Sequence, residues 1–537
     1  MTKVDYLFRR DARRPILLVV LWTGFLLAIT PPNQSFMAHD EGYYAQQARI
    51  MLQTGDWITQ HWLGNLTYDR AMGIVWLVAA SQSVFGFSEI ASRLPGMLAS
   101  LGAVLLTYAI GTRFASRSIA LTGSAILAVT PVWMQASKLA TQDIPLAFVG
   151  LLAVWALLRA EDGKSQLGWG FLAGAAFSIG FALKSFMIVP IIAALAPYVI
   201  WEHNRHRHLS NPGIYLGAVI GFIPSLLWLV LSYQSYGWRS VTAQVSKLFF
   251  LAGEDFHDAG PLYYFWNIPA TAFPWPLFAI AGAAIAWRAP AFRRKTLFIG
   301  LPVVLFLELT AFSTRTWYYG LQLLPYLSLL AAVALMALAR SYEKGPPRAG
   351  VSVALVSAVL GLLLLGAASV VIWLPDLLGP DSGRLAIAGA AAGLCLFLPL
   401  AIVLVDWRLD VRSSRLFLWA FFAGPAIAIA MLFATGLWGD YGARIKEPLT
   451  TQPLRDVLHL NRVDILIPAT RPPSFGEEMV LLALYSPRID KRVRNVDRIP
   501  QGGYAWVHLL DLPVLERRYL RYGKAGDWHL LRFDASD

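Results

Sequence analysis

Apolar runs of membrane-spanning length set the pattern of this chain. They lie near residues 15–31, 93–112, 118–136, 143–159, 168–184, 186–202, 213–233, 262–286, 296–312, 318–339, 350–374, 384–405 and 414–437. A helix needs about 20 apolar residues to cross the hydrocarbon core of a bilayer. The pattern therefore predicts an α-helical multi-pass membrane protein of about 13 transmembrane helices. A further run, 71–87, is interrupted by Ser81, Gln82 and Ser83 after about ten apolar residues, too short to span.

Charge settles the status of that run. Arg9, Arg10, Arg13 and Arg14 precede the first span. Arg113 and Arg117, Arg205 and Arg207, Arg293 to Lys295, Lys344 and Arg348, and Arg408 to Arg415 lie between later ones. Basic loops stay on the cytoplasmic side, and these all fall there only if 71–87 does not cross. It is then a juxtamembrane helix within a first outer loop, residues 32–92. The N-terminus is cytoplasmic and reads as an uncleaved anchor, because Pro31 and Pro32 follow it and no small-residue cleavage site does.

Composition agrees. The 537 residues are 57% hydrophobic and 15% charged, where a soluble protein carries roughly a quarter charged. The net charge of +12 is explained by the inner loops, so nucleic acid is not implied as a partner. Cys395 is the single cysteine, which excludes an internal disulfide, a zinc finger or a thiol relay.

The pattern changes after residue 437. VDILIP reads as a strand, GEEMVLLALYS as a helix, YAWVHLLD as a strand, LPVLERRYLR as a second helix and WHLLRFD as a last strand. Residues 438–537 are thus expected to form a small soluble α/β domain on the outer face, after a transmembrane domain over 1–437. Neither a glycine-rich phosphate loop nor a metal-ligand spacing occurs in it.

Candidate chemistry gathers in the outer loops. Residues 40–55 form an amphipathic helix with Tyr44, Ala48, Met51 and Leu52 on one face and Gln46, Gln47, Arg49 and Gln53 on the other, and Gly55 suits its stop. Asp40 at its start reads either as a helix cap or as an ionised carboxylate that accepts a proton. Asp143 has the same two readings, and topology puts it on the same membrane face. Lys184 reads as a snorkelling anchor or a lipid-phosphate contact. Arg70 and Arg315 are the other outward cations suited to an anionic head group. His257 reads as a solvated loop histidine or a cavity residue. Asp69 with His257 is a candidate divalent-metal pair, although two residues are a weak ligand set. His203, His206 and His208 fall in a basic inner loop and read as loop charge. Glu308 reads equally as partner or catalyst.

In order along the chain, HDEGYYAQQARIMLQTGDWIT, FGFSEIASRLPGML, KLATQDIPLAF, IGFALKSFMIVP, HDAGPLYYFWNIPATAFPW and FSTRTWYYGLQLLPYLSLL resemble motifs of the GT-C membrane glycosyltransferases. The resemblance is to the protein O-mannosyltransferase family and its bacterial relatives, which include the lipid A aminoarabinose transferases. It covers about residues 15–340. Many bacterial relatives carry a Glu-Lys-Pro-Pro-like stretch where this chain has YDRAMGIVWL, so Asp69 and Arg70 stand for the acid and the lysine, without the prolines.

The resemblance implies an inverting glycosyltransferase of the bacterial inner membrane with its active site on the periplasmic face. It would move a hexosyl or pentosyl group from a polyprenyl-phosphate donor to a glycolipid, envelope glycan or protein acceptor, without a nucleotide sugar. Asp40 would be the base and Asp143 would assist. Arg70, Lys184 and Arg315 would hold the donor phosphate. Glu41, Tyr44, Asp69, His257, Tyr318 and Tyr319 would line the substrate cavity. The alternative is a transporter or flippase of lipid-linked sugars, which would place charges and broken helices near the bilayer midplane.

Overall fold

The computed structural model describes residues 13–68, 70–163, 165–253, 259–289, 294–344, 348–374, 379–409, 413–467, 476–515 and 517–534. Asp69 and His257, and with them the candidate metal pair, lie outside the described residues. The chain divides into two compact units. One is Met1–Thr30, Gly96–Lys138 and Gln142–Trp438; the other is Pro31–Pro95, Leu139–Thr141 and Gly439–Asp537.

The first unit is helical. Over the whole chain, eight helices among the described residues are long and apolar enough to cross a membrane, or ten if each of two bent pairs counts as one span. The bends, of 65° and 105°, fall between Arg117–Ala128 and Pro131–Ser137, and between Tyr263–Thr271 and Trp275–Arg288. The count of thirteen is not reproduced: Pro15–Ala28 and Thr296–Ala311 are shorter than a straight span requires. Val219, Ile223 and Leu227 on the Pro212–Tyr236 helix are exposed, as expected where lipid rather than water is the solvent. The same helix packs closely on Gln166–Lys184. A Cβ on Gly174 would lie 1.9 Å from the Ile214 carbonyl oxygen, and one on Gly217 would lie 1.9 Å from that of Phe171. Small residues permit this backbone approach.

The break near 185 is a reversal. Ser185 has φ 50°, and a Cβ on Gly180 would lie 2.6 Å from Cδ1 of Ile188. In a straight helix those positions would be about 12 Å apart along the axis. The returning leg lies against Asp143–Ala160, since a Cβ on Gly150 would meet Ile191 at 2.6 Å. The segments 168–184 and 186–202 are therefore two legs, as the sequence pattern implied.

The second unit joins the first outer loop to the C-terminal stretch. The helix Asp40–Thr54 ends at Gly55, whose φ is 72°. Strands β1 (Gln60–Trp62) and β2 (Asn65–Thr67) form an antiparallel hairpin across Leu63 and Gly64. Both turn residues have positive φ, 46° and 75°, which suits a two-residue hairpin turn. The Gly73–Phe85 helix has 13 residues, about 20 Å at 1.5 Å per residue, short of a bilayer core. Strands β3 (Val463–Leu466), β4 (Ile489–Val493), β5 (Tyr504–His508), β6 (Tyr519–Ala525) and β7 (Trp528–Phe533) form a sheet in the order β4-β3-β5-β7-β6. β3 is parallel to β4 and β5, and the remaining pairings are antiparallel. Phe36, Ala45 and Leu63 share one core with Ile465, Leu482, Trp506 and Trp528.

Two local readings need correction. LPVLERRYLR is not a helix: it becomes a 3₁₀ turn, Leu509–Val514, followed by β6. β6 and β7 meet in a hairpin at Gly526 (φ 55°) and Asp527. Cross-strand pairing overrides the helical spacing of the leucines there. The Asp40–Thr54 helix also does not keep a wet polar face. Gln46 and Gln47 are buried, and a Cβ on Gly42 would meet Val480 at 2.9 Å.

Candidate active site

Each unit contains a carboxylate paired with a cation. In the second unit, Arg70 donates from Nη1 to Asp40 and, at 3.0 Å, to the Tyr44 hydroxyl. Its guanidinium lies over the rings of Tyr43 and Tyr44, 4.7 and 5.1 Å from their centroids. The hairpin sets this geometry. Gln60 Nε2 donates to the Arg70 carbonyl at 2.6 Å, while the Tyr43 hydroxyl and Gln47 amide both donate to Thr67 Oγ1. Asp40 and Arg70 keep 34% and 23% of their side-chain surface exposed. Tyr44 itself is buried and touches the site through its hydroxyl and ring face.

Glu41, the next residue, does not line an open cavity. Its side chain is fully buried against Arg93, which is 4% exposed. The carboxylate accepts from Arg93 Nε at 2.7 Å and Nη2 at 3.0 Å, from Met37 N–H at 2.7 Å and from Ala140 N–H at 3.1 Å. Arg93 also donates to the carbonyls of Ser35 and Gly439 and to Gln34 Oε1. This pair fastens four separate chain segments directly ahead of the helix that carries Asp40. His39, at the junction, has φ 64°, a conformation that persists only where the surroundings impose it. Sequence reasoning missed Arg93. Its position in SEIASRLP was visible, but its partner lies 52 residues away.

In the first unit, Asp143 opens its helix and Lys184 closes the next one. They form an ion pair with both side chains 9% exposed. The Lys184 ammonium lies 4.5 Å from the Tyr318 ring centroid and 5.1 Å from that of Tyr319. Paired charges at helix ends are tolerable beside a membrane where isolated ones are not.

Arg315 is engaged differently. Its guanidinium donates to the carbonyls of Thr310, Ser313 and Ala259, and it is 9% exposed. The neighbouring Thr316 is held by the Tyr264 hydroxyl, which donates to its carbonyl at 3.0 Å and accepts from its N–H at 3.2 Å. Arg315 thus ties down the loop that leads to Tyr318.

The other end of the Asp143–Ala160 helix, about 27 Å away for 18 residues, carries a denser charge cluster. Glu161 accepts from Arg294, Arg205 and the Tyr198 hydroxyl, and Arg113 donates to Asp162 at 2.7 Å. These arginines come from three of the basic loops between the apolar segments. His206 and His208 stack at 3.9 Å nearby. Burial pulls the His208 imidazole down to about 3, so it stays neutral.

One other group among the described residues has a metal-like composition: Glu478, His508 and Asp527. His508 Nδ1 accepts from the Leu510 N–H, which leaves its ring proton on Nε2. A neutral imidazole in that state has no lone pair for an ion, so these residues do not fit a metal centre as they stand.

The comparisons follow from this fold. A solved ArnT from Cupriavidus metallidurans, bound to undecaprenyl phosphate, superposes with a TM-score of 0.76 over 97% of this chain and 98% of that one, at 18% identity. An Archaeoglobus fulgidus oligosaccharyltransferase matches at a TM-score of 0.53 and 13% identity, over 98% of this chain and 75% of that one. The chain is therefore a multi-pass membrane protein of the GT-C fold. Within that class its sequence is similar to mannosyltransferases and aminoarabinose transferases. Residues 69–230 match the dolichyl-phosphate-mannose-protein mannosyltransferase family. A relative named undecaprenyl phosphate-alpha-4-amino-4-deoxy-L-arabinose arabinosyl transferase, from Pseudomonas aeruginosa, is 28% identical over 66% of this chain and 65% of its own length. Its namesake from Pseudomonas fluorescens is 30% identical over 65% and 64%. The match thus spans just under two thirds of these relatives.

Proposed function

We propose that this protein is an inverting glycosyltransferase that moves a sugar from a polyprenyl-phosphate carrier to an acceptor at the outer face of a bacterial inner membrane. The observation that carries this reading is the Asp40–Arg70 pair on its tyrosine platform, partly open to solvent in an otherwise buried neighbourhood. The names of the relatives support the donor class, and the Cupriavidus protein bound undecaprenyl phosphate.

The acceptor oxygen attacks the anomeric carbon. The bond from that carbon to the phosphate oxygen breaks, and its electron pair leaves with the polyprenyl phosphate. The acceptor proton passes to Asp40 as general base. We assign Arg70 to the charge that grows on the departing phosphate, a role the family resemblance also gives to Lys184. Asp143 orients Lys184, and Arg315 holds the loop that bears Tyr318 and Tyr319. The acceptor class, whether glycolipid, envelope glycan or protein, and the sugar are left to experiment.

A flippase reading has less support, since Asp143 and Lys184 sit at helix ends rather than mid-span. The deciding experiment reconstitutes the protein in vesicles with radiolabelled polyprenyl-phosphate sugar and envelope extract. Label in a new acceptor, with release of one free polyprenyl phosphate per transfer, supports the proposal. Label that crosses the bilayer still attached to its carrier contradicts it. Mass spectrometry of lipid A, glycans and proteins with and without the gene would identify the acceptor.

A further inference from the structure

We propose that the Asp40 carboxylate occupies the position on Arg70 that the donor phosphate takes on binding, so that the phosphate displaces the base and thereby frees it. This rests on the function proposed above and adds an order of events to it.

Arg70 presents one positive charge, and in this structure Asp40 neutralises it. A phosphate that joined both would leave two anions on one guanidinium, in a partly buried setting where a like-charge contact at close range is unfavourable. The lower-energy arrangement exchanges one anion for the other. The geometry permits this. Arg70 is fixed by contacts that do not involve Asp40: the Gln60 bond to its carbonyl, the Tyr44 hydroxyl and the two tyrosine rings. Asp40 is the first residue of its helix, and its side chain keeps 34% of its surface exposed, so it can turn away without unpacking a core. Guanidinium also accommodates phosphate oxygens in the planar, two-pronged fashion it uses for carboxylates.

Two consequences follow. Before the donor arrives, Asp40 is held against Arg70 and is turned away from an acceptor proton. After exchange the carboxylate is released to meet that proton, so donor binding precedes productive acceptor binding. The Asp143–Lys184 pair has the same charges, but both side chains are only 9% exposed, so it lacks the freedom to turn away that Asp40 has.

The experiment measures binding of undecaprenyl phosphate, with undecaprenol as the uncharged control, to the full-length protein in nanodiscs. Asp40→Asn removes the competing charge while it keeps the shape. The exchange predicts that D40N binds undecaprenyl phosphate about 10-fold more tightly than wild type, as expected for loss of one nearby competing charge, with undecaprenol binding unchanged. Arg70→Met in the same assay should weaken the phosphate lipid to near the undecaprenol level. A D40N affinity equal to or weaker than wild type, with an unchanged melting temperature, overturns the exchange and leaves the glycosyltransferase reading standing. A wild-type protein that does not distinguish undecaprenyl phosphate from undecaprenol overturns the donor assignment itself. A loss of activity from simple misfolding would not produce tighter binding, so the expected sign separates the two.

Discussion

Asp40 and Glu41 are adjacent, both acidic and both paired with an arginine, yet the structure gives them opposite circumstances. Glu41 is sealed, with both oxygens saturated by Arg93 and two backbone N–H groups. Asp40 is a third exposed and faces an arginine that lies on tyrosine rings. The difference teaches that charge pairing alone does not mark a reactive carboxylate. What matters is whether the pair can open. A buried pair is stabilising only while it is complete, whereas an exposed pair contributes little to stability and can exchange partners.

That contrast can be broken from either side. The largest effect is expected at the sealed pair. Glu41→Gln leaves the Arg93 charge buried without its counterion and should destabilise the protein by about 3–5 kcal/mol, read as a lowered unfolding temperature in detergent. Glu41→Asp should fare little better, because one methylene less cannot reach both Arg93 and Met37. Lys184→Met should lower kcat/KM for the lipid-linked donor by about 100- to 1,000-fold, the range seen when one donor to a developing negative charge is lost. Arg315→Met should reduce turnover by less, about 10-fold, and should destabilise the loop over 310–316, read as faster hydrogen exchange there. Turnover lost as completely as in Lys184→Met, with that loop still protected, would return Arg315 to the phosphate.

The smallest effect lies at the far end of the Asp143–Ala160 helix. Burial opposes the Glu161 charge, but the Tyr198 hydroxyl and Arg294 outweigh it and hold the carboxyl below its usual range. A carboxylate with a depressed folded pKa adds stability above its unfolded value, near pH 4, and loses it as pH falls through the folded one. Wild type should therefore lose on the order of 1 kcal/mol from this site on acidification below pH 4. Glu161→Gln should flatten that part of the stability profile. An unchanged profile would mean the cluster is solvated.

Much of this was legible in the sequence. The basic loops and the apolar pattern put Asp143 and Lys184 at the same ends of neighbouring segments, where the structure pairs them; Glu161 was not singled out. The chain reversal near 185 was visible as a break in the apolar pattern, and Gly55 marked the end of the Asp40 helix. Contacts between distant segments were not legible. Nothing near Glu41 announces that Arg93 will neutralise it, and nothing in LPVLERRYLR shows that β7 will claim its second half as a strand. The Gly526–Asp527 pair between RYGKA and WHLLRF was the signal for that hairpin, and it was outweighed by helical spacing. Gln46 and Gln47 looked like a wet face because the sequence does not show that the Gly476–Tyr485 helix packs on the Asp40–Thr54 helix.

Asp40 is proposed to act in the reaction, while Glu41 only holds the turn ahead of it. One measurement tests it most directly: single-turnover transfer from a labelled polyprenyl-phosphate sugar by Asp40→Asn, with its unfolding temperature recorded on the same preparation. The rate should fall by about 100- to 10,000-fold, the range for loss of a general base, at an unfolding temperature equal to wild type. Transfer by Asp40→Asn at the wild-type rate would contradict it.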